Sequence, residues 1–367
     1  MGSLKMEPLE ISKKLFERYE KVFGNVENYF GLLALYALAR VADEDGDAKA
    51  MQRCIEEMEK YPDRIVHPYY NYENFRVGGA CSSWLAMKGL MDGKKEILRE
   101  YAEKTLSAVT DGEGIVCRPD RYPERFQTWI DSIYSVCPFM LYCGIMFEEE
   151  RYIDFAVSQC VKMYGRFTDR SCGLLHQTKG FMKDPEEISG DHWGRGNGWG
   201  YFGLTEFLRC LPKESRHYET IKELYLRHTE ALIKYQTPKG MWGQEIACEY
   251  SWEESSGTAL ILYGMGEGIL NGILDRDKYL PIFDRGINAL TRCAVREDFM
   301  TLFCCYGCVC PGGAEGKGSP KSYIKEIPPM PDDPHSFGPF MLALLSAHKL
   351  GYTSLEMNNP KYYWEIY

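Results

Sequence analysis

The stretch Asp191-His192-Trp193-Gly194-Arg195-Gly196-Asn197-Gly198-Trp199 sets two indoles, a guanidinium, an amide and three glycines within nine residues. An indole face suits the C–H face of a sugar ring, and the planar guanidinium fork suits a carboxylate. Glycine lets backbone approach a ligand closely and adopt positive φ. Together these residues describe a pocket for an acidic sugar. Residue type alone also allows a plainer role, a tight turn before a helix whose tryptophans cap the core.

A sugar pocket that does chemistry needs a proton donor. Asp131, in Gln127-Thr128-Trp129-Ile130-Asp131-Ser132-Ile133-Tyr134, falls in the first turn of an apolar helix. An acid there can simply favour the helix dipole, by about 0.3–1 kcal/mol. Flanking Trp129, Ile130 and Tyr134 would also desolvate it, which raises a carboxyl pKa toward the range of a general acid. His176, Glu73 and Tyr29 are further candidates, with a solvated histidine, a surface glutamate and a core tyrosine as the open alternatives. Arg118, Arg121 and Arg125 precede Asp131 and could meet a carboxylate. Cys305-x-x-Cys308 has zinc or redox spacing, but no second Cys-x-x-Cys or His-x-x-x-His accompanies it. No metal and no cofactor are expected.

Helical periodicity dominates the chain and strand-like alternation is scarce. The pattern predicts helices over 9–23, 28–43, 47–60, 80–91, 94–109, 128–147, 150–165, 197–211, 217–236, 254–271, 276–295 and 336–350. Several close in pairs, which suggests six hairpins in an all-α (α/α)6 barrel, a toroid, or else a helical solenoid. A solenoid would carry a repeat of fixed length, and none is visible. Long loops at 61–79, 110–127, 166–196, 237–253 and 297–335 hold most of the Trp, His and Arg-Gly clusters, as an active-site rim would. No low-complexity linker divides the 367 residues, so a single catalytic domain over 1–367 is expected.

A net charge of −10 argues against a nucleic-acid partner, which wants a basic face. No apolar run reaches the roughly 18 residues of a membrane span. The N-terminus shows no basic-then-apolar signal and there are fourteen cysteines, so reduced thiols and a cytoplasmic location are expected.

Trp193-Gly194-Arg195-Gly196-Asn197-Gly198-Trp199 resembles the Trp-x-Arg-Gly-Asn-Gly-Trp signature of the unsaturated glycosyl-uronide hydrolases, and most closely the unsaturated rhamnogalacturonyl hydrolases of glycoside hydrolase family 105. Trp129-x-Asp131-x-x-Tyr134 is similar to that family's catalytic aspartate segment. Gly173-Leu174-Leu175-His176 follows in the family's order, one residue shorter than its Gly-Leu-x-x-His, and Asn71-Tyr72-Glu73 stands where the family commonly has Asn-Leu-Asp. Tyr29 takes the place of an aromatic at a helix start. Glu253-Glu254-Ser255-Ser256-Gly257-Thr258-Ala259 and Asp333-Pro334-His335-Ser336-Phe337-Gly338-Pro339-Phe340 extend the match toward the C-terminus.

The resemblance implies a hydrolase that removes a 4,5-unsaturated uronic acid, of galacturonyl type, from the non-reducing end of pectin-derived oligosaccharides left by a lyase. The C4=C5 bond of such a sugar is a vinyl ether, so the reaction is a hydration. Asp131 would protonate C4 and then, as carboxylate, activate the water that adds at C5. His176, Trp193, Arg195, Glu73 and Tyr29 would bind the substrate, a small acidic oligosaccharide. Two readings of other classes stay open: a sugar epimerase working through paired histidines, and a non-catalytic sugar-binding toroid.

Overall fold

The computed structural model describes residues 3–64, 73–117, 123–309 and 316–358; the side chains of residues 73, 74 and 123 lie outside the description. The helices are α1 (Pro8–Phe23), α2 (Tyr29–Asp45), α3 (Ala48–Met58), α4 (Gly79–Met87), α5 (Lys95–Leu106), α6 (Ser132–Phe147), α7 (Glu150–Phe167), α8 (Gly194–Cys210), α9 (Tyr218–Leu232), α10 (Ser255–Leu270), α11 (Arg276–Ala294), α12 (Pro320–Glu326) and α13 (Pro334–Lys349).

Two kinds of helix build two layers. A helix that is apolar all round must be covered on every side. Helix α6 is such a helix, buried without a break from Ser132 to Gly144, and α10 is buried from Ser255 to Ile269. The outer helices instead carry one apolar stripe: α1 buries Leu9, Ile11, Ser12, Leu15, Phe16 and Tyr19, and leaves Glu17 exposed. Helices α2, α4, α6, α8, α10 and α13 pack each on the next, and α13 returns onto α2 to close a ring. Around it α3 packs on α2, α5 and α7 on α6, α9 on α8, α11 on α10, and α1 on both α13 and α2. This is the expected (α/α)6 toroid. A solenoid would have left its first and last helices apart.

Close helix packing needs small residues. A Cβ on Gly203 of α8 would stand 2.0 Å from Ile133 Cγ2 of α6, so no larger residue fits there. The ring is sealed by Leu4–Met6, which pairs antiparallel with Leu355–Met357. Deep among the inner helices, fully buried Glu206 of α8 accepts hydrogen bonds from Tyr36 Oη (2.7 Å), Arg209 Nη1 (2.7 Å), and the Tyr142 and Tyr263 hydroxyls. Arg40 donates to Tyr36 at 3.0 Å and to Tyr263 at 3.1 Å in the same network.

The structure corrects three boundaries. The helix predicted over 197–211 begins at Gly194, so the glycine-rich signature is its first turns and not a preceding loop. The helix predicted over 128–147 starts only at Ser132; Thr128–Trp129 pairs as a short strand with Thr178–Lys179. Helix α12 lies within the loop predicted over 297–335.

Candidate active site

The N-termini of α2, α6, α8 and α13 converge on one cleft. Its walls are aromatic: Tyr29, Phe75, Trp129, Tyr134, Trp193, Trp199 and Tyr306, with Asp131, Arg195, His335, Ser135, Gly307 and Cys308 between them. Tyr29 opens α2, Asp131 immediately precedes α6, Trp193 precedes α8, and His335 sits in the first turn of α13. Each helix N-terminus carries a partial positive charge of roughly +0.5. Several of them aimed at one cleft favour an anionic ligand.

Asp131 occupies the N-cap position of α6, yet its side chain makes no capping hydrogen bond. Its Oδ2 is buried without a hydrogen-bond partner among the described residues. Burial pushes its pKa up to about 6, against the opposing pull of the Arg195 charge, of its own backbone amide and of the Gln177 side chain. Gln177 is held in place by its carbonyl, which accepts from Ile130 N–H at 2.9 Å, and by its Oε1, which accepts from Tyr323.

Arg195 is 1% exposed and lies with its guanidinium 4.6 Å from the centroid of the Trp193 ring. Nη1 donates to the Cys305 carbonyl at 2.8 Å and to Ser256 Oγ at 3.2 Å, while Nε is buried without a partner among the described residues. Glu254 builds the seat for this cation. It caps α10 by accepting from Ser256 N–H (3.0 Å) and Gly257 N–H (2.6 Å), and it fixes the Cys304–Cys305 strand through Cys305 N–H at 3.1 Å. Cys305 is thus committed to Arg195, its sulfur 3.0 Å from Nη1. Its Cys-x-x-Cys partner Cys308 is at the rim, and Cys310 lies outside the described residues.

The glycines of the signature take no positive φ. They allow close approach instead: a Cβ on Gly194 would stand 2.5 Å from the Gly243 carbonyl oxygen. Asn197 ties the His176-Gln177 segment to α8, its Oδ1 accepting from Leu175 N–H at 2.8 Å and its Nδ2 donating to Leu175 O and Trp193 O, both at 3.0 Å.

A buried relay enters the cleft from α13. Asp333 Oδ1 lies 2.6 Å from His335 Nδ1, and His335 Nε2 is hydrogen-bonded to the Tyr29 hydroxyl. Burial and the Arg195 charge hold His335 below its ordinary pKa, against the opposing pull of Asp333. Burial also pushes on Asp333, but His335 and Arg195 outweigh it and keep the carboxyl low. The carboxylate fixes the imidazole proton on Nδ1, and Tyr29 donates to Nε2.

Tyr29, Asp131, Trp193 and Arg195 are thus brought together. His176 is not: it does not line the cleft, because its Nδ1 is tied to the Asp191 carbonyl at 3.0 Å and its ring stacks on His192 at 4.9 Å. Glu73 begins the turn Glu73–Val77 that carries Phe75 into the cleft, and its side chain lies outside the described residues. Arg118 and Arg121 also lie outside; Arg125 donates to the Gly180 carbonyl at 2.7 Å and is not a lining residue. Sequence reasoning assigned no role to Asp333, His335 or Gln177. The available signal for the first two was Asp333-Pro334, an N-cap and N1 pair that marks an inner-helix start.

An aromatic cleft at the helix N-termini of a six-hairpin toroid, with one half-buried acid and one buried guanidinium, is a build suited to an acidic sugar. Residues 12–351 match the family described as Glycosyl Hydrolase Family 88, and the chain belongs to that family. It is similar to an unsaturated 3S-rhamnoglycuronyl hydrolase of Formosa agariphila, 25% identical over 45% of this chain and 46% of the relative. It is also similar to the unsaturated rhamnogalacturonyl hydrolase YesR of Bacillus subtilis, 26% identical over 55% of this chain and 58% of the relative. The matched stretches thus span about half the length of these curated relatives. A family 105 glycoside hydrolase of C. acetobutylicum superposes with a TM-score of 0.76, covering 92% of this chain and 99% of that one at 21% identity, a likeness of fold.

Proposed function

We propose that the protein is a glycosidase that releases a 4,5-unsaturated uronic acid, of galacturonyl type, from the non-reducing end of lyase-generated pectin or rhamnogalacturonan oligosaccharides. One observation carries this reading. Among the described residues that line the cleft, Asp131 is the sole carboxylic acid. A saturated glycoside calls for two carboxyl groups, one on each side of the bond. A vinyl ether calls for one.

Asp131 donates its proton to C4, and positive charge develops at C5. The resulting carboxylate takes a proton from the water that adds there. The hemiketal so formed opens, and the anomeric centre releases the aglycone alcohol. Trp193 stacks on the sugar. Arg195, with the helix N-termini, balances the C6 carboxylate. Tyr29, oriented by His335 and Asp333, hydrogen-bonds a sugar oxygen. His176 and His192, whose rings stack, do not line the cleft, so the paired-base chemistry of an epimerase has less support. The thirteen described cysteines are all free, which fits a reducing cytoplasm.

The test is the ultraviolet absorbance of the conjugated double bond on adding enzyme to lyase-digested rhamnogalacturonan. Loss of absorbance with release of the free sugar supports the reading. No loss on that substrate, on digested glycosaminoglycan or on digested ulvan overturns it.

Two further outcomes are expected. A general acid must be protonated to act, and the Asp131 carboxyl titrates at about 6. The kcat/KM profile should therefore be level just below that pH and fall tenfold per unit above it. A profile that instead rises through pH 6 would make Asp131 the initial base. Tyr29→Phe removes one hydrogen bond to the sugar and frees His335. A loss of about tenfold in kcat/KM is expected, equivalent to about 1.4 kcal/mol, with the alkaline limb unmoved.

A further inference from the structure

Between the end of α7 and the start of α8 the chain gathers Asp169, Cys172, His176 and His192, none of which lines the cleft. A carboxylate oxygen of Asp169, the sulfur of Cys172 and a ring nitrogen of His192 all lie within 4.8 Å of one another. His192 Nε2 is 3.0 Å from Asp169 Oδ2 and 3.6 Å from Cys172 Sγ. His176 Nε2 stands 3.9 Å from the same Asp169 oxygen. Around a tetrahedral zinc ion, bonds of about 2.0–2.3 Å separate neighbouring ligand atoms by about 3.3–3.8 Å. The observed spacings bracket that range.

The atoms facing away from the centre are anchored. Asp169 Oδ1 accepts from Ser171 N–H at 2.8 Å and Ser171 Oγ at 2.6 Å, which leaves Oδ2 for the centre. His176 Nδ1 is 3.0 Å from the Asp191 carbonyl, an acceptor only, so the proton sits on Nδ1 and Nε2 carries the lone pair. His192 Nδ1 faces Glu245 Oε1 at 3.6 Å. A carbonyl or carboxylate behind each imidazole is the outer shell that turns Nε2 toward a metal.

We propose that Asp169, Cys172 and His192 bind one thiophilic divalent cation of the zinc class, with His176 closing in as fourth ligand. Binding releases to solvent the Cys172 thiol proton and the second proton of an imidazolium at His192, and the thiolate, one carboxylate and two neutral imidazoles neutralise the ion. The alternative, an imidazolium of His192 between Asp169 and Glu245, gives the thiol no role. The site is separate from Cys305-x-x-Cys308 and does not depend on the proposed hydrolase activity. His176 precedes Gln177, and His192 precedes Trp193. The ion would therefore clasp the two segments that carry these cleft residues, and raise the melting temperature.

The experiment is a Co2+ titration of the whole protein after dialysis against a chelator. Tetrahedral d–d absorption with a thiolate charge-transfer band is expected, saturating at one equivalent and bleached by Zn2+. Cys172→Ser should abolish the charge-transfer band while keeping the circular dichroism of the fold, and Cys308→Ser should leave the band intact. His192→Gln should weaken binding; if that variant fails to fold, Cys172→Ser decides alone. A spectrum without these bands, or a band that survives Cys172→Ser, overturns the proposal.

Discussion

Asp131→Asn is expected to lower kcat on an unsaturated uronyl disaccharide by about 10²–10⁴-fold, the usual share of one general acid–base group, with little change in substrate affinity. The same variant should be more stable than the parent at neutral pH. The sign follows from the raised pKa. Folding lifts the Asp131 carboxyl from 3.8 to about 6, so the folded state holds the proton more tightly than the unfolded chain. Stability falls as pH rises from near 4 to near 6, and the cost is complete above that. Asn never ionises and escapes it. Denaturation at pH 7.5 should show the variant gaining stability, and denaturation at pH 3.5 should show no gain. An inactive variant with no stability gain at pH 7.5 would mean that the Asp131 pKa is not raised. Retained turnover would remove Asp131 from the chemistry.

Glu206→Gln is expected to cost about 3–5 kcal/mol of stability, as removal of one partner from a buried ion network does. Glu206 is fully buried and takes hydrogen bonds from Tyr36, Tyr142, Tyr263 and Arg209. The neutral amide leaves Arg40 and Arg209 with Glu267 as their remaining nearby carboxylate. Thirteen residues beyond Trp193 on one helix, Glu206 is about 20 Å from the cleft end. Turnover per folded molecule should therefore be unchanged. A urea midpoint at constant pH measures the loss. A cost below about 1 kcal/mol would mean that Glu267 alone compensates both guanidinium groups.

Local pattern revealed the helices and the acid, because both are written in short stretches of sequence. Apolar spacing marked the helices, and Trp129-Ile130-Asp131 placed a carboxyl among groups that desolvate it. Ring closure was less accessible. It depends on α13 meeting α2, and no local pattern encodes a contact between distant segments. The start of α8 was misplaced because glycine is a poor helix former; here Gly194, Gly196 and Gly198 are selected by what lies against them. The resemblance singles out His176 by its place between Asp131 and Trp193, whereas Gln177 belongs to no motif. The pairing of Thr128–Trp129 with Thr178–Lys179, which holds this segment beside the start of α6, is too brief to show an alternation. His335 was quoted in a matching segment and given no role, since only the toroid brings it to Tyr29.

The Tyr29–His335 hydrogen bond joins positions 306 residues apart. Tyr29 opens the first inner helix to be synthesised, and His335 opens the last. A nascent chain on the ribosome thus carries five of its six inner helices with α2 and α10 both lacking their α13 neighbour, an apolar surface for chaperones to shield. Truncation anywhere before α13 removes both the seal and the relay. The proposed chemistry is therefore tied to completion of the fold: a chain that has not closed its ring has no finished cleft in which to hydrate a sugar.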